Sequence, residues 1–166
     1  MALRRISRHD RVLQLACVYG DLSARLARQV GPKGALDIID VAPIQVANAR
    51  RKLVDMPWAR VSVADAAEPR AEHYDCVLTF FLLHELPDPL SAVGPRGKAV
   101  FVDYARPARW HPMRPVIAAV FALLEPYART MWDTPIATLA SYPQNFTWQR
   151  KTHFAGLYQI VIAERI

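Results

Sequence analysis

The sequence predicts an α/β domain built on a mostly parallel β-sheet that ends in an antiparallel hairpin. Three observations predict it. Apolar runs of strand length alternate with helix-like segments up to the run 98–103, and such alternation implies strand–helix–strand crossovers, which are right-handed. Those runs are nearly continuous in apolar residues, as strands covered on both faces are. The end of the chain changes character: two extended stretches, Phe146 to His153 and Leu157 to Arg165, flank Ala155-Gly156, the pattern of a hairpin.

In order, the strands are 11–16 (RVLQLA), 35–40 (ALDIID), 60–63 (RVSV), 75–81 (DCVLTFF) and 98–103 (KAVFVD). The hairpin adds two more. Most are rich in Val, Ile, Leu or Phe, which pack well on a pleated surface. Helices fit 22–30 and 43–54. The second starts at Pro43, whose missing N–H is harmless in a first turn. It carries Ile44, Ala47 and Leu53 on one side, with Arg50, Arg51 and Lys52 outward. One connection is too short for this scheme. Between Phe81 and Lys98 lies PDPLSAVGPRG and little else, whereas a parallel crossover usually takes about a dozen residues, including a helix. Either the crossover is lean, or a segment between Asp88 and Leu90 is absent from the chain; the second is the expectation.

The 166 residues show no break in composition, so a single domain over 1–166 is expected. A hydrophobic fraction of 52% excludes a disordered chain. Lysine and arginine number 21 against 15 acids, a net charge of +6. That balance suits an anionic membrane surface or nucleic acid, and equally an ordinary solvated face. The basic residues form no stripe, and no nucleic-acid partner is expected. Cys17 and Cys76 lie in or beside buried strands, which fits a reducing cytoplasm. MALRRISRHD has charge but no apolar signal-peptide core. The longest apolar run, Val116 to Leu124, is far short of the ~20 residues of a spanning helix. A soluble or peripheral protein is expected.

Ligands of an open parallel sheet sit at the carboxyl ends of its strands, where the strand order reverses. The first strand, with Gln14 near its end, runs into Ala16-Cys17-Val18-Tyr19-Gly20. A nucleotide-binding turn would be glycine-rich here, and only Gly20 is one. Asp40, followed by Val41, ends the second strand, where an acid suits the paired hydroxyls of a ribose. Ala64-Asp65-Ala66 follows the third, placed to meet an adenine amino group. His84, Glu85 and Asp88 follow the fourth; Asp103 and Tyr104 end the fifth, with His111 beyond. Each has an ordinary explanation too. Asp40 and Asp65 can be helix caps or turn formers, His84 a satisfied strand-end histidine, and Asp103 the partner of Arg106. Their convergence on one edge of one sheet makes them a candidate site.

In this order and spacing, the turn at 14–20, Asp40 after LDII, Asp65 after VSVA, YDCVLTFFLLHELPD at 74–88 and GPRGKAVFVDY at 94–104 resemble the class I S-adenosylmethionine-dependent methyltransferases over nearly the whole chain. The resemblance implies a Rossmann-like fold with a seven-stranded sheet. It implies an S-adenosyl-L-methionine site at Gln14, Ala16, Tyr19, Gly20, Asp40, Val41, Asp65 and Ala66, and transferase chemistry at His84, Asp103, Tyr104 and His111. A narrower likeness lies in IDVAPIQVANARRKL, FFLLHELPD, FVDYARPARWHPMRP and THFAGLYQIVIAER. These are similar to the RquA-type rhodoquinone biosynthesis proteins, relatives of the quinone methyltransferases. That likeness implies conversion of ubiquinone to rhodoquinone, an amino group replacing a ring methoxy. It also implies S-adenosylmethionine as amino donor, an assisting divalent metal (manganese), and a cytoplasmic protein peripheral at the inner membrane.

Under that resemblance the glycine-poor turn has a chemical sense. A carboxylate near position 14 would hold the donor's ammonium and keep it protonated, whereas neutral Gln14 favours the free amine. Ala16, Val18 and Tyr19 also crowd the turn. Drift within an ordinary methyltransferase is the other explanation. Asp103 with His84 or His111 offers the carboxylate and imidazole donors that Mn²⁺ accepts, leaving positions for a quinone oxygen. The segment 106–132 joins an apolar helix to Trp110, Phe121, Tyr127 and Trp132, flanked by Arg106, Arg109, Arg114 and Arg129. It suits either a membrane edge or a core helix packed on the sheet. Three functions stay open: amino transfer to a quinone, methyl transfer to a quinone or other lipophile, and cofactor binding without catalysis. A nucleic-acid methyltransferase is weaker still, since no N-P-P-[YF]-type motif is present.

Overall fold

The computed structural model describes residues 2–68, 73–83, 86, 88, 90–123 and 132–166. Its strands are β1 (Arg11–Leu15), β2 (Ala35–Asp40), β3 (Ala59–Val63), β4 (Tyr74–Phe80), β5 (Val93–Tyr104), β6 (Phe146–His153) and β7 (Tyr158–Arg165). The α-helices among the described residues are α1 (Leu22–Val30), α2 (Pro43–Lys52) and α3 (Arg114–Leu123). The strands form one sheet in the order β3-β2-β1-β4-β5-β7-β6. β1 to β5 pair in parallel, and β7 lies antiparallel to both β5 and β6. The predicted fold class is the observed one.

The topology places the site before any side chain is considered. The β1–α1–β2 and β2–α2–β3 units step away from β1 in the same direction, so right-handed crossovers put both helices on one face. The chain then returns to the other side of β1 to lay down β4. That reversal leaves a crevice at the carboxyl ends of β1 and β4.

The two faces of the sheet are covered differently. On one, Val12, Leu36, Ile38, Leu78 and Val100 pack against Leu26, Ala27 and Val30 of α1 and Val46 and Ala49 of α2. On the other, Leu13, Ile39, Val77, Phe101 and Val161 are covered by Leu83, Leu86, Leu90 and Ala92, and by Ile136 and Ala140. No α-helix of the described residues adds a buried side chain to this second cluster. Between β4 and β5, Ser91 N–H and Oγ–H both donate to the Asp88 carbonyl; the point where a segment was expected to be absent, between Asp88 and Leu90, falls on a residue outside the described ones.

Several element ends differ from expectation by a residue or two, among them β3, β4 and α2, and three differences have a clear physical cause. β5 starts at Val93 rather than 98, because Val93 pairs with Tyr74 before Lys98 pairs with Cys76, and the register shifts between them. Gly94 to Gly97 bulge out there; a Cβ on Gly97 would come within 2.7 Å of the Tyr74 carbonyl. β1 stops at Leu15, since Ala16 turns left-handed with φ 67°. In α2 the buried side is Val46, Ala49 and Leu53, while Ile44 is 69% exposed. Positions 46, 49 and 53 share a helical face that 44 and 47 do not. The hairpin forms as expected, its tip turning through left-handed Phe154, Ala155 and Gly156. Gly156 is required there: a Cβ would sit 2.6 Å from the Arg106 carbonyl.

Candidate functional site

The turn after β1 is fastened from behind. Gln14 is fully buried, its Nε2–H₂ donating to the Ala16 carbonyl at 2.9 Å and its Oε1 accepting from Ser23 Oγ–H at 3.0 Å. Strand, turn and α1 are thereby stapled by one amide. Gln14 does not line the cavity described below; its bonds set the shape of the turn. From the other side, α2 braces the same turn. Lys52 Nζ donates to the Gly20 carbonyl at 2.9 Å, and Gln45 Nε2 to Tyr19 Oη at 3.3 Å. Tyr19 itself is 87% exposed.

Asp40 is the hinge of the site. Its Oδ2 accepts the Cys17 N–H at 2.7 Å and its Oδ1 the Ala42 N–H at 2.8 Å. It therefore is a turn former, as one explanation had it. Each carboxylate oxygen has a second lone pair for a ligand hydroxyl. The Cys17 thiol is pushed up to about 11 by burial first and by the neighbouring Asp40 charge second. Asp65 makes the same kind of turn, its Oδ1 accepting the Ala67 N–H at 2.8 Å.

Between these two acids opens a cavity of about 350 Å³, lined by Ala16, Ile39, Asp40, Val41, Ala64, Asp65, Ala66, Ala67, Leu82 and Leu86. Apolar walls with two carboxylates suit a flat heterocycle that carries donors at both ends. The structure thus brings together Ala16, Asp40, Val41, Asp65 and Ala66 of the expected binding residues, and leaves Gln14, Tyr19 and Gly20 behind or outside the lining. Ile39, Leu82 and Leu86 were missed. They read as core residues in the sequence, and nothing but the fold turns them toward a ligand.

Beyond β4 and β5 the edge is aromatic. Phe81, left-handed at φ 54°, stacks obliquely on Tyr104 at 4.7 Å between ring centroids. Tyr104 meets Phe121 edge-on at 4.7 Å, and Phe121 meets Trp132 at 5.6 Å. Asp103 lies beneath this ladder, fully buried, accepting the Leu83 N–H at 3.1 Å and the Tyr104 N–H at 2.7 Å. Arg106 pairs with Asp133 at 2.9 Å, not with Asp103.

The expected metal set does not assemble among the described residues. Asp103 accepts one backbone N–H on each oxygen, which holds residues 83 and 104 in place. His111 accepts the Met113 N–H on Nδ1 at 3.1 Å, and His84 lies outside the described residues. No three His, Cys, Asp or Glu side chains of the described residues gather as a divalent ion requires. Asp103 is a clasp between two strand ends.

Comparison with known proteins agrees with this geometry. The profile of the methyltransferase domain family matches residues 12–94. The ubiquinone/menaquinone biosynthesis C-methyltransferase UbiE of Teredinibacter turnerae is 30% identical over 110 residues, 59% of this chain and 44% of that protein. Its counterpart in Proteus mirabilis is 25% identical over 115 residues, 61% of this chain and 45% of that protein. The chain thus spans less than half the length of these relatives. An S-adenosylmethionine-dependent methyltransferase from Aquifex aeolicus superposes with a TM-score of 0.61 over 96% of this chain and 84% of the other, at 19% identity. At that identity the likeness is one of fold.

Proposed function

We propose that this chain, which belongs to the methyltransferase domain family, is an S-adenosylmethionine-dependent transferase acting on a quinone ring, and that the reaction is the exchange of a ring methoxy for an amino group. The observation that carries the proposal is the join of two unlike regions at one sheet edge: a two-carboxylate cavity of nucleoside size, and an aromatic ladder beginning at Phe81. When bound, S-adenosylmethionine would supply an electrophilic methyl on its sulfonium or, as a free amine, a nucleophilic nitrogen; amino transfer then requires the ring methoxy to leave as methanol and the donor's own carbon–nitrogen bond to break.

The chain's own residues do the rest. Asp40 would accept from the ribose hydroxyls while holding Cys17 and Ala42, so binding and turn geometry are coupled. Asp65 would accept from the adenine amino group, and Val41, Leu82 and Leu86 would exclude water from the base. Phe81 and Tyr104 offer apolar faces to a quinone ring. Ala16 and Val18 stand where the family's glycines let the backbone close around the methionine end, and position 14, near which an acid would hold the ammonium, is the neutral Gln14. An ammonium without a carboxylate loses its proton more readily, which is the condition for amino transfer.

Plain C-methyl transfer to a quinone is the second reading, favoured by the printed activity of the UbiE relatives. One experiment separates them: incubation with S-adenosylmethionine and a short-chain ubiquinone, with products weighed by mass spectrometry. A product lighter than substrate, with nitrogen in place of methoxy, is expected. A product heavier by one methylene would establish the second reading. No product at all, with cofactor binding verified by calorimetry, would overturn both.

A further inference from the structure

The helix α3 has the composition of a core helix without being in the core. Its sequence, RPVIAAVFAL, carries no charge after Arg114, yet Phe121 is its sole buried residue. Phe121 points inward to Tyr104 and Trp132. On the far side, Met113, Val116, Val120 and Leu123 recur at intervals of three and four and are 45, 50, 41 and 81% exposed. Trp110, one turn earlier, is 76% exposed. A helix that is apolar all round normally has both sides covered, and an exposed contiguous apolar patch marks a contact surface.

What would cover it can be argued from the charges and from what the stripe lacks. Residues 105–123 contain Arg106, Arg109 and Arg114 and not one Asp or Glu. Arg109 is exposed and Arg114 half-exposed. The outward stripe offers no hydrogen-bonding side chain, whereas protein interfaces carry about one hydrogen bond per 100–200 Å². No helix of the described residues is long and apolar enough to cross a bilayer. Apolar side chains, a flanking tryptophan and arginines at the level of the headgroups are the features of a helix lying in a membrane interface.

We infer that α3, with Trp110, docks this protein flat on an anionic phospholipid bilayer, its outer stripe in the acyl boundary and Arg109 and Arg114 on lipid phosphates. The inner side of the same helix touches Tyr104, so docking would set the aromatic end of the site against the membrane. The inference goes beyond the proposed reaction and does not depend on which group is transferred.

The test uses the full chain with vesicles of phosphatidylcholine alone or mixed with phosphatidylglycerol, read by co-sedimentation and by quenching of tryptophan fluorescence with brominated lipids. Binding to the anionic vesicles, weakened by salt, is expected. V116E/V120E should lose it by about tenfold or more while keeping the parental circular dichroism and Tm, since both side chains are already exposed. R109Q/R114Q should bind anionic vesicles no better than neutral ones. W110F should lose most of the lipid quenching. Failure to sediment with either vesicle would overturn the inference, and so would V116E/V120E binding at parental strength. A concentration-dependent dimer that V116E/V120E dissociates, without vesicle binding, would assign the stripe to a second copy instead.

Discussion

The carboxyl edge of the sheet is polar at one end and aromatic at the other, and the two ends are held by different forces. Over β1 to β3, short-range hydrogen bonds do the work: Asp40 to Cys17 and Ala42, Asp65 to Ala67, Gln14 to Ala16 and Ser23. Over β4 and β5, rings distant in sequence pack on one another, from Phe81 through Tyr104 and Phe121 to Trp132. Turn chemistry holds the polar end together, whereas tertiary burial builds the aromatic end. Removing a group should therefore cause different damage at each.

The largest effect is expected at the aromatic end. Phe121→Ala removes the ring through which α3 is anchored, at a cost of about 3–5 kcal/mol for a fully buried phenylalanine. The loss should be local: fast amide hydrogen exchange throughout α3, with β1 to β3 protected and cofactor affinity retained. Cofactor affinity lost in parallel would show that the two ends are one unit.

At the polar end, Cys17 should react slowly. A thiol raised from 9.0 to about 11 stays protonated to higher pH, so at neutral pH it holds less thiolate than an ordinary cysteine. Two units correspond to a factor of roughly a hundred, less as solvent screens the Asp40 charge. Alkylation rates should climb as pH rises toward that value. Asp40→Ala should speed the reaction, because it removes a charge that opposes the thiolate.

The same Asp40→Ala should weaken S-adenosylhomocysteine binding by about 1–3 kcal/mol in calorimetry, and lower Tm as well, because two backbone N–H groups lose their acceptor. Asp65→Ala is the control that sharpens the point. Asp65 is exposed and caps only one exposed turn, so affinity should fall with little change in Tm. Equal effects on Tm would mean that Asp40 is no more a structural residue than Asp65.

The smallest effect is a gain. Ala16 holds a left-handed φ of 67° that glycine adopts freely. Ala16→Gly should raise stability by about 0.5–1 kcal/mol in urea unfolding, the relief of strain exceeding the entropy that glycine adds to the unfolded chain. Lower stability would show that the alanine methyl is packed rather than strained.

Much of the polar end was legible before any coordinates. Asp40 and Asp65 follow apolar strands directly, and a strand's period and length fix which residue stands at its end. Gly20 and Gly156 announced turns for the same local reason. The aromatic end was legible only in kind. Phe121 and Trp132 were candidates for a membrane edge or a core, and the sequence held nothing to choose between them. Asp103 was legible as a carboxylate at a strand end; that it also fastens residues 83 and 104 through their backbone N–H groups was visible only in the fold.

The sequence by itself determined the succession of strands and helices along the chain, the hand of the crossovers, and hence that a site belongs at the carboxyl ends of the strands. These follow from periodicities of two and 3.6 residues and from backbone chirality, which act over a few residues at a time. Which two strands flank the crevice came from the sheet order. Only the tertiary structure decided which face of each element was covered. It left Ile44 and the outer stripe of α3 in the open, buried Gln14 and Asp103, and turned Leu82 and Leu86 into a cavity wall. Burial is a property of the surface that arrives from elsewhere in the chain, and no local pattern of residues contains it.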